Sequence, residues 1–343
     1  MKRFVCTGRG QVGWQEVEDR ALQPHEVRVR NWYGTEKHGT MMAFFKGYAN
    51  DRGRWDADAL MHRPGEGELW SYPIPLGNMQ FGEIVEVGAD VEHRKVGEVV
   101  FFSDGFRPVS AVSWNEVFPA TQGMEWEDAM MLDPLEFALG ALRDGNVRIG
   151  DHVAIFGLGA IGLALVQAAA AAGAEGIYAI DPILDRRDVA MKVGADAAID
   201  PTGTDVGAEL RELTGGVGVD VAIDFSGSRH ALQAAIRGVG YGGTVVCGAF
   251  PPPYDAGLDF GGEAHMNRPK IVFSRACSDP NPDYPRWDHT RIRWAAYELI
   301  ARGQVRGGEI VGPIIDFEDL PKVYPRIAED PQRHLKLAVR YPQ

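Results

Sequence analysis

The sequence predicts an α/β protein: a doubly wound parallel sheet joined to a β-rich domain. Three observations carry that expectation. Short apolar runs alternate with helical ones through the middle of the chain, the pattern of a sheet with helices on both faces. The first third lacks this alternation and reads as strands with a period of two. At 343 residues the chain exceeds one ordinary core, which favours two domains.

Taken in order, V-R-V-R-N-W at 27–32 and E-I-V-E-V-G at 83–88 alternate as strands, and V-G-E-V-V-F-F at 96–102 is a third candidate. Residues 46–72, rich in Gly, Asp, Arg and Trp, show no period and read as a long loop, a lid or substrate wall. The character changes at residue 126. E-D-A-M-M-L-D-P-L-E-F-A-L-G-A-L-R-D-G reads as a helix broken near Pro134. Then come the strand V-A-I-F-G, an alanine-rich helix with a glycine stop, and I-Y-A-I-D; three more strands follow, ending at G-T-V-V-C-G-A, each preceded by a helix. From residue 288 the pattern is mixed again: one helix, then I-V-G-P-I-I-D-F and a final L-K-L-A-V-R-Y.

Composition narrows the function. The net charge is −13, a surface that repels nucleic acid and acidic membranes. No stretch offers the ~20 uniformly apolar residues of a membrane span, and M-K-R-F-V-C-T-G-R-G lacks a signal-peptide core. A cytoplasmic location is the expectation. Cys6, Cys247 and Cys277 are far apart, so neither a disulfide framework nor a zinc ribbon is expected.

The strongest motif is G-L-G-A-I-G, residues Gly157, Leu158, Gly159, Ala160, Ile161 and Gly162. It follows a strand and opens a helix, the context of a Rossmann dinucleotide fingerprint. Gly157 allows the tight turn, Gly159 lets backbone approach a pyrophosphate, and Gly162 allows close helix packing. The helix N-terminus favours the anion. Asp181 ends the next strand, where a carboxylate can bind both ribose hydroxyls and repel a 2′-phosphate. NAD is therefore expected over NADP, although Arg186 and Arg187 follow closely and keep the phosphate reading open. Ser226, Gly248 and Ala249, after later strands, complete the candidate cofactor residues in the middle of the chain.

With these motifs the chain resembles the medium-chain dehydrogenase/reductase superfamily, whose members include zinc alcohol and polyol dehydrogenases. G-N-M-Q-F-G-E-I-V-E-V-G at 77–88 looks like the family's G-H-E-x-x-G-x-V-x-x-V-G, and L-D-P-L-E-F-A-L-G-A-L at 132–142 like its E-P-L segment. The resemblance implies a GroES-like catalytic domain built from 1–125 and 288–343, a Rossmann domain over 126–287, and a substrate cleft between them. It makes Lys336, in the last strand, a cofactor-binding residue, and it places Arg275, Ala276 and Cys277 where relatives pass the nicotinamide. It also implies a homodimer formed through the last Rossmann strands, near 255–273.

The family's zinc ligands are missing. Asn78 and Met79 stand where the G-H-E histidine and glutamate would be, and no four-cysteine lobe exists. The chain is closer to a zinc-lacking branch similar to bacteriochlorophyllide dehydrogenases, which carries Y-S-G-I-S-x-G-T-E-x-x-x-Y-x-G. Here Y-G-T-E-K-H-G-T-M-M-A-F-F-K-G keeps Tyr33, Gly39, Thr40 and Gly47, but has Met41 for the glutamate. In the best register Lys37 takes the cysteine position and Thr40 that of the relay hydroxyl. Asp133 takes the acidic position of the polyol enzymes.

Oxidising an alcohol without zinc needs another group to take the hydroxyl proton and steady the alkoxide. Five residues are the candidates: Lys37 as the cation, His38 as a proton relay, Thr40, and Glu36 and Asp133 as holders of either group or of substrate. The expected function is a zinc-independent, NAD-dependent dehydrogenase of a polar secondary alcohol such as a sugar, sugar acid or cyclitol. Three alternatives stay open: an NADPH-dependent reductase of an activated carbonyl or enone, a nucleotide-binding protein without turnover, and a metal enzyme with a rearranged site using Glu36, His38 and Asp133.

Overall fold

The computed structural model describes residues 1–275, 283–330 and 334–342, and the side chain of His38 lies outside that description. Ala276 and Cys277 are also outside the described residues. Two compact units form, Met1–Asp133 with Val311–Gln343, and Pro134–Ile310.

The first unit is β-rich. Its largest sheet runs in the order Phe118–Pro119, Val99–Ser103, Met79–Val87, Glu26–Thr35, Lys336–Arg340 and Val311–Asp316, and Val109–Ser113 also pairs with Glu26–Thr35. Glu26–Thr35 is the central strand. Val27 and Val29 point into a core with Ile84, Val100 and Phe102, while Arg28 and Arg30 reach Glu86 and Glu83. This is the period-two pattern read from 27–32. The final strand pairs antiparallel with it, Ala338 opposite Thr35 and Arg340 opposite Tyr33, so it is hydrogen-bonded beside the start of the Y-G-T-E-K-H-G-T stretch. A second core around Phe4, Phe44, Phe317, Tyr324 and Tyr341 packs the return segment against the N-terminal strands.

The second unit is a six-stranded parallel sheet ordered Ala197–Ile199, Gly176–Ile180, His152–Phe156, Val219–Asp224, Val239–Cys247 and Lys270–Phe273. That is the doubly wound order of a dinucleotide fold, with the crevice at the carboxyl ends of the strands. The helix Ala160–Ala172 is buried from Gly162 to Ala169 and ends at Gly173 in the left-handed conformation (φ 83°), the glycine stop the sequence announced.

Four expectations shift. Residues 46–72 are not structureless: a 3₁₀ turn at Asn50–Arg52 leads into a hairpin of Arg54–Asp56 and Met61–Arg63. Pro134 breaks nothing. It sits in the first turn of the helix Leu132–Asp144, where a missing N–H costs little, and the break falls earlier, after Trp126–Ala129. The unit borders differ from 126 and 288. Tyr33 stacks on Trp126 at 4.1 Å and Thr35 donates to the Met130 sulfur at 3.5 Å, tying 126–133 to the first unit. His289 in the helix His289–Ala301 meets Glu136 at 3.1 Å, and Gln167 exchanges two hydrogen bonds with the Arg306 backbone, tying 288–310 to the second. The helix Leu320–Glu329, with prolines at 321 and 325, gave no helical signal in the sequence.

Candidate functional site

In the second unit the glycine loop is a strand-to-helix turn. Gly157 has φ 87°, and a Cβ there would lie 2.6 Å from the Ser226 nitrogen, so only glycine fits. A Cβ on Gly162 would run into the Gly157 carbonyl oxygen. At Gly159 a Cβ meets no protein atom within 4 Å. The backbone is kept bare there although the fold does not require it, which suits close approach of a pyrophosphate to the helix start.

Asp181 is 4% exposed. Its two oxygens accept from Leu158 N at 2.8 Å and Ile183 N at 2.9 Å, so it braces the loop. Arg186 lies 3.7 Å from it. Arg187 donates to the Asp181 carbonyl at 2.7 Å and pairs with Asp200 at 3.0 Å, which commits that guanidinium to structure. Ser226 donates from its N and Oγ to Asp224, whose carboxyl burial pushes up to about 6 against those hydrogen bonds. Ala160 and Ile161 open the helix, and Gly248 and Ala249 follow the fifth strand. A Cβ on Gly248 would strike the Phe225 ring. The loop, the bare Gly159 and the carboxylate at Asp181 fit a dinucleotide.

In the first unit residues 33–40 form a strand-to-helix junction. Tyr33, Gly34 and Thr35 finish the strand, and the helix His38–Lys46 starts one residue after Lys37. Lys37 stands at the helix N-cap with no capping side-chain bond, so its ammonium is directed elsewhere: it donates to Asp133 Oδ1 at 2.7 Å. Their side chains are 18% and 11% exposed. Thr40 lies in the first turn of that helix and is half-buried. Glu36 is fully buried and faces the Tyr324 hydroxyl.

Lys336 was expected at the cofactor. It is 1% exposed, its ammonium donates to the Glu36 carbonyl at 2.9 Å, and its charge acts on Asp133 and Lys37. The structure thus brings Glu36, Lys37, Asp133 and Lys336 together from residues up to 300 apart in the chain. Burial pushes the Asp133 carboxyl up, but Lys37, Lys336 and the neighbouring Asn78 outweigh it and hold it below the usual carboxylate range. Burial pushes Lys336 down to about 8; Asp133 and Glu36 oppose the shift, and Lys37 adds to it.

Among the described residues no group of three or more His, Cys, Asp or Glu is placed to hold a metal ion. The donor chemistry agrees: two ammonium groups around one carboxylate repel a divalent cation. Zinc does not fit these residues.

A parallel sheet of this order with a bare glycine at its first helix defines a dinucleotide-binding oxidoreductase frame. A family model described as zinc-binding dehydrogenase matches residues 160–287. The D-guloside 3-dehydrogenase of Escherichia coli K12 is 39% identical over 355 aligned positions, covering 99% of this chain and 100% of that one. The (R,R)-butanediol dehydrogenase of Bacillus subtilis is 33% identical over 202 positions, 51% of this chain and 58% of the relative. The fold matches the crystal structure of 2R,3R-butanediol dehydrogenase from the same species with TM-score 0.79 over 100% and 99% of the two chains, at 23% identity. The chain belongs to the medium-chain dehydrogenase/reductase superfamily and is an oxidoreductase of its alcohol-dehydrogenase type.

Proposed function

We propose that this protein is a zinc-independent dehydrogenase that uses NAD to oxidise a secondary hydroxyl of a sugar or glycoside. The observation that carries the reading is the Lys37–Asp133 pair at 2.7 Å, at the two positions that the family resemblance gives to zinc ligands. Full-length similarity to a D-guloside 3-dehydrogenase supports a glycoside over a simple alcohol.

A bound nicotinamide supplies the hydride acceptor. The backbone of Gly157–Gly162 holds the pyrophosphate, and Asp181 takes the ribose hydroxyls while resisting a 2′-phosphate. Lys37 supplies the positive charge that steadies the substrate oxygen as its proton leaves. Asp133 keeps that ammonium charged and aimed. Thr40, in the first turn of the same helix, orients the hydroxyl.

The test is a screen of hexosides, free hexoses, polyols and cyclitols with NAD and NADP on protein exhaustively treated with chelator, read at the reduced-nicotinamide absorbance. Turnover of a glycoside with NAD after chelation is the expected result. Activity that disappears with the metal and returns only with zinc contradicts the reading.

A further inference from the structure

Residues 46–72, which the sequence suggests as a substrate wall, hold a tryptophan that the fold leaves half in water. Trp70 is 49% exposed. Its backbone is fixed by the Asn50 side chain, which accepts from Trp70 N and donates to Trp70 O, both at 2.9 Å. Tyr72, two residues on, donates from its hydroxyl to the Phe44 carbonyl at 2.8 Å. The indole itself packs edge-on against the Phe44 ring, with centroids 5.4 Å apart. Main-chain bonds and one ring edge therefore set its position, and the rest of its surface stands ready for a ligand without further ordering.

Phe44 links that surface to the candidate site. The Lys37 carbonyl accepts from Met41 N at 2.9 Å, the first rung of the helix His38–Lys46. Lys37, Met41 and Phe44 follow one another at the spacing of a single helix face. The rise from Lys37 to Phe44 is ~10 Å, and helical side chains lean toward the N-terminus. The Phe44 ring thus leans toward the Lys37 end, and Trp70 sits against it. We propose that Trp70 sets substrate specificity: its indole stacks on a ring carried by the anomeric oxygen of a glycoside whose reacting hydroxyl lies at Lys37. This rests on the dehydrogenase reading above. A hexose ring alone is shorter than the interval from Lys37 to the indole, whereas a glycoside with a second ring spans it.

The chemistry suits an uncharged ring. An indole offers a broad, electron-rich face to the C–H bonds of a pyranose or to an aromatic aglycone. Within the same segment Arg54 pairs with Glu66 at 3.3 Å and Arg63 with Asp56 at 3.1 Å, so these guanidinium groups are committed and do not select a phosphate or a sugar acid. A second indole supplies the control. Trp55, 43% exposed, stands on the hairpin, where its ring packs on His62 at 5.0 Å.

The test compares kcat/KM of the full chain, with NAD, for a phenyl hexoside, a disaccharide and a methyl hexoside of the same oxidised sugar. The wild type should prefer a ring-bearing glycoside over the methyl one ~10-fold. A preference shared by the disaccharide identifies a pyranose as the stacked ring, and one confined to the phenyl hexoside identifies an aromatic aglycone; both support the stacking role. Trp70→Ala should abolish the preference. Trp70→Phe, which keeps a ring, should retain most of it, and Trp70→Leu, which keeps only apolar bulk, should not. If Trp70→Ala fails to fold, the contrast between Trp70→Phe and Trp70→Leu carries the test. Trp55→Ala should show the wild-type preference. The stacking role is overturned by a wild type with no preference for either ring, by a Trp70→Ala or Trp70→Leu enzyme that keeps the preference, or by a Trp55→Ala enzyme that loses it equally; each leaves the dehydrogenase reading standing. A wild-type protein inactive on every alcohol overturns the dehydrogenase reading and the stacking role with it.

Discussion

The Lys37 ammonium lies 2.7 Å from Asp133 Oδ1, joining residues 96 apart in sequence at the start of two helices. The carboxylate stands within the field of a second buried cation, Lys336. Removing it leaves two ammonium groups without their shared counter-charge.

Asp133→Asn should therefore cost about 3–5 kcal/mol, the usual penalty for breaking a buried pair from one side, read as a lower Tm at pH 7. The sign with pH follows from the depressed Asp133 value. Its stabilisation is fully present above the unfolded carboxyl value of about 3.9 and is lost as pH falls through the folded one. The Tm gap between wild type and variant should narrow below about pH 4. A gap that is constant from pH 7 to pH 3 excludes an ionised Asp133 as its source.

The glycine loop separates binding from folding. At Gly159 an added Cβ meets no protein atom within 4 Å, so Gly159→Ala should leave Tm within about 2 °C of wild type. It should weaken dinucleotide binding ~10-fold or more, because the methyl occupies the approach to the pyrophosphate. Gly162→Ala should instead lower Tm, since its Cβ meets the Gly157 carbonyl. Calorimetry and a dinucleotide titration read both. Equal Kd for Gly159→Ala and wild type would place the pyrophosphate elsewhere.

Asp181→Ala should weaken NAD binding and narrow the preference over NADP. Because Asp181 also accepts from Leu158 N and Ile183 N, NADP binding should gain less than removal of charge repulsion alone gives. The ratio of the two Kd values is the readout, and an unchanged ratio means that another residue selects the cofactor.

The edge strand Lys270–Phe273 leaves Ile271 and Phe273 exposed, and a second copy pairing there would cover both. Light scattering at micromolar concentration should give a dimer, and Phe273→Asp should give a monomer. A wild-type monomer contradicts this pairing.

Much of the second unit was legible because its signals are local. Apolar strands, the glycine spacing and Asp181 each lie within one short stretch, and each stands where the spacing puts it. The central strand Glu26–Thr35 was legible for the same reason. The site in the first unit was harder to read. Nothing in the last strand marks Lys336 as a partner of Glu36, because that contact depends on pairing Ala338 with Thr35 across 300 residues. A lysine opening an otherwise apolar strand, K-L-A-V, was the one available clue that its charge would be buried. Leu320–Glu329 was missed because its two prolines oppose helix locally, while Leu320, Tyr324, Ile327 and Ala328 pack it into the core. The 46–72 hairpin was missed because its strands are three residues long and largely exposed, too short for a period to show.

The account turns on Lys37 steadying the substrate oxygen in place of a metal ion, and kcat of Lys37→Met tests that most directly. With a glycoside that the wild type turns over, and with zinc content measured in both proteins, kcat should fall ~100-fold or more, as for loss of one oxyanion donor. The Kd for NAD should stay within about twofold, because Lys37 is not among the residues that hold the cofactor. A Lys37→Met enzyme with near wild-type kcat, or one whose activity tracks bound zinc, would contradict the account.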